Sequence, residues 1–192
     1  MVRDASATRA RILDAAIDEF ATYGLAGARI DRIAAAAEAN KRSIYVYFGS
    51  KEQLFAAATE RVIGAVGEAV PLTEDDLPGY AGRVFDYALE HPQAFRMGLW
   101  RHLERPDVGP DLVPVYTSKI EVMTAGREAE NSGLPATDLV VLILGLVQAW
   151  FISPVALLTA DGSDPQSPER IAQHRASLVE AARRLVGPGM LS

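Results

Sequence analysis

Residues 29–51 read RIDRIAAAAEANKRSIYVYFGSK, and this stretch decides the fold. Ile33, Ala34 and Ala37 recur at helical spacing and predict a short helix over 30–38. Asn40 is placed to cap a second one over 41–48. In that second helix Ile44 and Phe48 are four apart and apolar, so they turn inward onto the preceding helices. Tyr45 and Tyr47 are then expected to point to solvent. Ala39-Asn40 leaves only a tight turn between the helices, the spacing of a helix-turn-helix.

In a helix-turn-helix the second helix enters the DNA major groove and its N-terminal residues meet base edges. Here that end carries Lys41, Arg42 and Ser43. An Arg side chain can donate two hydrogen bonds to guanine O6 and N7, and Lys can reach the same acceptors. A Tyr hydroxyl is a good phosphate donor, which suits Tyr45 and Tyr47, and Lys51 opens the next helix close to the same backbone. Each of these residues alone would be an ordinary solvated side chain; their spacing is what joins them.

Upstream, Ser6 can cap a first helix whose apolar face is Ile12, Leu13, Ala16, Ile17 and Phe20, with Gly24 placed to end it. Downstream, Ser50 can cap a helix over 51–70 that Pro71 stops. The run T-R-x-x-I-L-x-A-A-x-x-x-F (8–20), then Gly24, I-A-x-x-A (33–37) and N-K-R-x-I-Y-x-Y-F-G-S-K-E-x-L (40–54) resembles the DNA-binding domain of the TetR family. The resemblance implies a subunit of about nine helices, all-α, with a three-helix helix-turn-helix unit followed by a C-terminal helical bundle. It also implies a homodimer, a near-palindromic double-stranded DNA operator and a small-molecule effector. Carried over by position, Lys41, Arg42, Ser43 and Tyr45 would face the groove, and Tyr47 and Lys51 would hold phosphates. Arg29 stands where the family usually has a capping Ser or Thr; it cannot cap as a hydroxyl does, but it could contact phosphate. Glu38 stands where the family commonly has Gly, and positive φ at a non-Gly residue costs about 1 kcal/mol.

The organisation expected is a DNA-binding domain over 1–50 and a ligand-binding and dimerisation domain over 51–192. In the second part helices are predicted over 77–90, 92–103, 115–131, 137–152 and 169–186, with loops at 105–114 and 159–168. Three of these helices carry aromatic and sulfur side chains on one face: Tyr80, Val84 and Tyr87; Phe95, Leu99 and His102, with Met97 and Trp100 nearby; Tyr116, Ile120 and Met123. The apolar helix adds Gln148, Trp150 and Phe151. The plain reading is core. The functional one is an apolar effector pocket, lined by Tyr87, Phe95, Trp100, His102, Tyr116, Met123, Gln148 and Trp150, with Tyr87, His102, Tyr116 and Gln148 as polar handles. The apolar helix and the last one, with Ile171, Leu178 and Leu185 at heptad-like spacing and Gly145 and Ala149 for close approach, are the expected dimer surface.

Composition narrows the function classes. The net charge is −6 over 192 residues. Residues 1–55 carry eight Lys/Arg and seven Asp/Glu, a net of +1, whereas the remainder carries eleven and eighteen, a net of −7. The absence of cysteine excludes disulfides, thiolate metal sites and a cysteine nucleophile. His91, His102 and His174 are far apart and suggest no metal, no cofactor is implied, and no catalytic constellation is seen, so no enzyme is expected. The first sixteen residues hold no apolar signal segment, and the chain is expected to be cytoplasmic. Residues 139–158 are twenty without a charge, long enough to span a bilayer. Gln148, Ser153 and Pro154 interrupt them and no flanking Lys/Arg is present, so a buried helix is preferred and no membrane partner is expected. The function expected is a repressor released by a largely hydrophobic effector. The alternatives are an activator, a regulator without a small effector, a ligand-binding helical protein that no longer reads DNA, favoured by Arg29 and Glu38, and a membrane-associated protein.

Overall fold

The computed structural model describes residues 2–105 and 113–187, with side chains from residue 5 onward. Among these residues the chain is all-helical, with eleven helices rather than about nine. The predicted loop at 105–114 lies mostly outside the described residues. The helices fall into two compact units, Met1–Glu68 with Glu90–Val113, and Ala69–Leu89 with Pro114–Ser192.

The first unit contains α1 (Val2–Gly27), α2 (Ile30–Ala36), α3 (Lys41–Phe48), α4 (Lys51–Ala69) and α6 (Pro92–Glu104). Ile12, Ala16, Phe20, Ile33, Ile44, Leu54, Ala58 and Met97 are all but inaccessible and form its core. Phe20 meets Phe55 edge-on at 5.1 Å between ring centres, the favoured aromatic geometry. The apolar face read for the first helix is the buried one. Gly24 breaks that helix with φ 68, a left-handed conformation that glycine adopts without a Cβ clash.

The second unit contains α5 (Leu77–Glu90), α7 (Val113–Ala125), α8 (Glu128–Ser132), α9 (Ala136–Ile152), α10 (Val155–Leu158) and α11 (Pro168–Val186). Leu77, Tyr80, Ala81, Phe85, Met123, Leu139, Ile143, Val147, Trp150, Leu178 and Ala182 make its core. The helix expected over 115–131 is two helices. Asp75 accepts from Arg127 N at 2.7 Å at the start of α8, and Glu128 accepts from Leu77 N at 3.0 Å at the start of α5. Each helix N-terminus, which would otherwise leave free N–H groups, is thus capped by a carboxylate from the other's end. Burial pushes the Glu128 carboxyl above its ordinary range against the pull of the Leu77 bond, and the charges of Asp75 and Asp76 add to the rise.

On α11 Leu178 is buried, and Ile171 and Leu185 are half-buried against their own unit's core. One expected face is corrected by the packing. On α6 Met97 is buried and Trp100 and Glu104 are half-buried, whereas Leu99 and His102 are exposed. Sequence spacing placed an apolar stripe one step around from where it lies, because α6 also carries long polar side chains that reach inward. No helix among the described residues is long and apolar enough to cross a membrane.

Candidate nucleic-acid interface

The turn before α3 is built as the sequence demands, at a cost. Ala37 closes α2, Glu38 takes φ 49, and Asn40 adopts an extended conformation. The Asn40 side-chain oxygen accepts from Ser43 N at 2.7 Å and from the Ser43 hydroxyl at 3.0 Å. This cap satisfies one of the free donors at the α3 N-terminus. Arg11 secures the other side of the turn, donating from Nε to Ala37 O at 3.2 Å. Arg29 has extended backbone and makes no side-chain cap; its N–H instead donates to Glu19 at 2.8 Å. Arg32 clamps the same carboxylate, from Nε at 2.8 Å and from Nη2 at 2.5 Å. Burial alone would raise the Glu19 carboxyl, but these donors hold it below its ordinary range.

On α3, Ile44 and Phe48 are buried as expected. Arg42, Tyr45 and Val46 form the exposed line, at i, i+3 and i+4, with Val46 72% and Tyr45 44% exposed. Val46 was not anticipated, although its spacing from Arg42 would have revealed it. An apolar side chain on this line suits a thymine methyl group. Tyr47, expected at the surface, is half-buried and packs against the core, because it lies three residues from Ile44 and beside Phe48. Arg42 has no hydrogen bond or ion pair among the described residues. Lys41 is held by Asp31 at 3.0 Å, and this pairing raises its pKa. Both side chains are exposed, so the pair is weak and exchangeable for a phosphate or a base. Lys51 Nζ approaches Ala26 O at 3.4 Å.

α6 grips the end of α1, a feature invisible in the sequence. Arg96 Nε donates to Ala21 O at 2.6 Å and Trp100 Nε1 to the same oxygen at 3.3 Å. Beyond the Gly24 break, Leu25 N and Ala26 N both donate to the Glu104 carboxylate. The Trp100 ring lies so close to Gly24 that a Cβ there would stand 2.8 Å from it. Trp100, read from sequence as a pocket residue, thus belongs to this clamp in the first unit. Phe95 is half-buried in the same unit.

In the second unit Met123 and Trp150 are buried, Tyr87 is half-buried, Tyr116 is 45% exposed and Gln148 is exposed. Gln148 lies on α9 beside a stripe of exposed Val141, Leu142, Gly145, Ala149 and Ile152, spaced 0, 1, 4, 8 and 11 residues apart. Trp150 faces the other way, into a cluster with Phe85, Phe151 and His174 that sequence reasoning did not assemble. Its members come from three helices, so no local pattern pointed to it.

A three-helix unit whose capped third helix turns Arg, Tyr and Val outward has the geometry of a helix-turn-helix DNA reader. Comparison with known proteins agrees. Residues 12–58 match the family described as bacterial regulatory proteins, tetR family, and residues 76–184 match the tetracyclin repressor-like C-terminal domain. The chain belongs to the TetR family of DNA-binding transcriptional regulators. It is 36% identical over 193 residues to the HTH-type transcriptional repressor SCO4008 of Streptomyces coelicolor, spanning 96% of this chain and 97% of that protein. The crystal structure of the putative transcriptional regulator SCO4942 from Streptomyces coelicolor superposes with a TM-score of 0.77 at 36% identity, over 93% of this chain and 97% of that one. AibR, in complex with isovaleryl coenzyme A and operator DNA, shares the fold with a TM-score of 0.63 at 16% identity, over 95% of this chain and all of that one.

Proposed function

We propose that this chain is a homodimeric transcriptional repressor, acting in the cytoplasm, that leaves a near-palindromic operator when a small, largely hydrophobic effector binds its second unit. The observation that carries DNA reading is the Asn40-capped α3 with Arg42, Tyr45 and Val46 on one open face. In this reading Arg42 meets a guanine edge, Lys41 and Ser43 stand beside it, Tyr45 and Val46 cover the neighbouring base, and Arg29, Tyr47 and Lys51 hold phosphates. Repression follows the name of SCO4008, and effector control is consistent with AibR, which was crystallised with both an acyl coenzyme A and operator DNA.

The exposed stripe Val141, Leu142, Gly145, Ala149 and Ile152 on α9 supports a second copy as its cover. Apolar surface arranged at helical spacing is unfavourable in water, and its small residues permit two helices to approach closely. Two half-sites must then match the separation of two α3 helices. The α6 clamp on α1 gives the reading its mechanical part. α6 follows α5 across a single residue, His91, so a shift of α5 on effector binding would reach Arg96, Trp100 and Glu104 through the chain itself. Release requires only that the effector favour one arrangement over the other.

Selection from random duplexes at two salt concentrations tests the reading. An inverted repeat with a steep salt slope is expected; enrichment of no sequence at either concentration would overturn it.

A further inference from the structure

Two buried polar side-chain nitrogens lack any hydrogen-bond partner among the described residues, Arg170 Nε and His174 Nε2. They are neighbours. They lie four residues apart on α11, the spacing that places side chains on one helix face, and both reach the ring of Trp150. The His174 ring centre is 4.3 Å from it and the Arg170 guanidinium 5.0 Å. Phe85 completes the surround, 5.4 Å from His174, 6.5 Å from Trp150 and 5.6 Å from Phe151. Other arginines of this helix are engaged: Arg175 with Asp86 at 2.7 Å, and Arg183 and Arg184 with Glu180 at 2.5 and 2.9 Å. Asp161 feels the charge of Arg170, yet its carboxylate is taken by the Ser163 hydroxyl at 2.6 Å and by Ser163 N at 2.9 Å.

Unpaired buried polar groups are rare in folded proteins, and two sharing one aromatic wall call for a common partner. An arginine Nε always carries a hydrogen, so its partner must be an acceptor. An imidazole Nε2–H can donate to the same group. Two donors beside a single positive charge suit a carboxylate, whose two oxygens and one negative charge match them. A dianionic phosphate would be left with excess charge against aromatic walls, and a cation would meet Arg170.

We infer that Arg170 and His174 form the polar end of a ligand site for a hydrophobic carboxylic acid, with Trp150, Phe85 and Phe151 against its apolar body. This rests on the reading of the second unit as effector-binding and narrows the effector to an aryl or acyl carboxylate. Burial and the neighbouring Arg170 charge, in that order, lower the His174 pKa. The imidazole is therefore neutral when the site is empty, leaving Arg170 as the single cation.

Trp100 and Trp150 are the two tryptophans of the chain, so the full-length W100F variant reports from Trp150 alone. The probes are 3-phenylpropionate, its neutral amide and 3-phenylpropylammonium. Saturable quenching by the carboxylate is expected, at least about tenfold tighter than by the amide, with none by the ammonium. Arg170→Met and His174→Phe, checked by circular dichroism for unchanged helicity, should each weaken the acid by about tenfold. Should either variant fold poorly, the nitrogen NMR signal of His174 in the otherwise unaltered protein must move on titration with 3-phenylpropionate. Equal binding of acid and amide, acid affinity unmoved in Arg170→Met, or a stationary His174 signal would each overturn the site. Acid binding that leaves affinity for the selected operator unchanged would uphold the site and sink effector release. Release of the operator by other compounds, equal in wild type and Arg170→Met, with no acid bound, would do the reverse.

Discussion

The two units of this chain place their unmet chemistry on opposite sides. In the first, inward and turn-forming polar groups have partners: Arg11 with Ala37, Arg32 with Glu19, Asn40 with Ser43, Glu104 with Leu25 and Ala26. What is left over points outward, as Arg42 on α3. In the second, the unpartnered nitrogens of Arg170 and His174 are inside, whereas Val141, Ile152, Val155 and Leu157, each more than half exposed, are outside. A surface that reads a large rigid partner presents donors to solvent and holds them stiffly from behind. A unit that encloses a small molecule and pairs with its own copy is expected to show the inverse, polar groups within and apolar ones without.

The comparison breaks most readily at Gly24. Gly24→Val puts a Cβ into left-handed backbone and within 2.8 Å of the Trp100 ring, with an expected loss of about 2–4 kcal/mol. Urea unfolding should show that loss, and operator binding should weaken with it because the helix-turn-helix hangs from this break. A variant as stable as wild type would mean that α6 does not brace the first unit. Next in size, Arg42→Ala should cost about 1–3 kcal/mol of operator binding and relax specificity at one base position. Lys51→Ala should weaken all sequences alike and reduce the salt slope by about one. An Arg42→Ala effect that is uniform across sequences would move Arg42 from base to phosphate.

In the second unit, Glu128→Ala removes the carboxylate that caps α5 and should cost about 1–2 kcal/mol in thermal unfolding. Glu128→Gln sharpens the point. The folded carboxyl is raised, so the stability it contributes is present at pH below the ordinary glutamate range and is lost as pH rises through the raised value. The Gln variant should therefore gain on wild type between acid and neutral pH in paired melting curves; a gain that shrinks as pH rises would reverse the assignment. The smallest change is expected from Glu38→Gly, which relieves φ 49 and should add up to about 1 kcal/mol. Destabilisation there would mean that the Glu38 side chain is making a contact worth more than the strain.

Much of the first unit was legible because its determinants are close in sequence. The Asn40 cap, the inward pair Ile44 and Phe48, the break at Gly24 and the strained Glu38 each follow from residues within one or two turns. Tyr47 was misjudged because two residues on a helix subtend an angle, not a side, and the flank of the Ile44–Phe48 face was wide enough to take it. On α6, in the first unit, the stripe expected to face a pocket is exposed at Leu99 and His102. Gly145 and Ala149, small residues in the uncharged stretch of α9, are both exposed.

By itself, the sequence determined most of the helices, the Asn40 cap, the Gly24 break, and Arg42 and Tyr45 on the open face of α3, since these depend on neighbours three or four positions away. Only the tertiary structure decided that Glu19 ties Arg29 N to the Arg32 guanidinium, that Trp100 and Glu104 clamp α1, and that Arg170 and His174 meet Trp150 and Phe85. Such partners lie ten or more residues apart, with no periodicity linking them. They are joined by the packing of whole helices, which responds to summed shape and burial rather than to any local pattern.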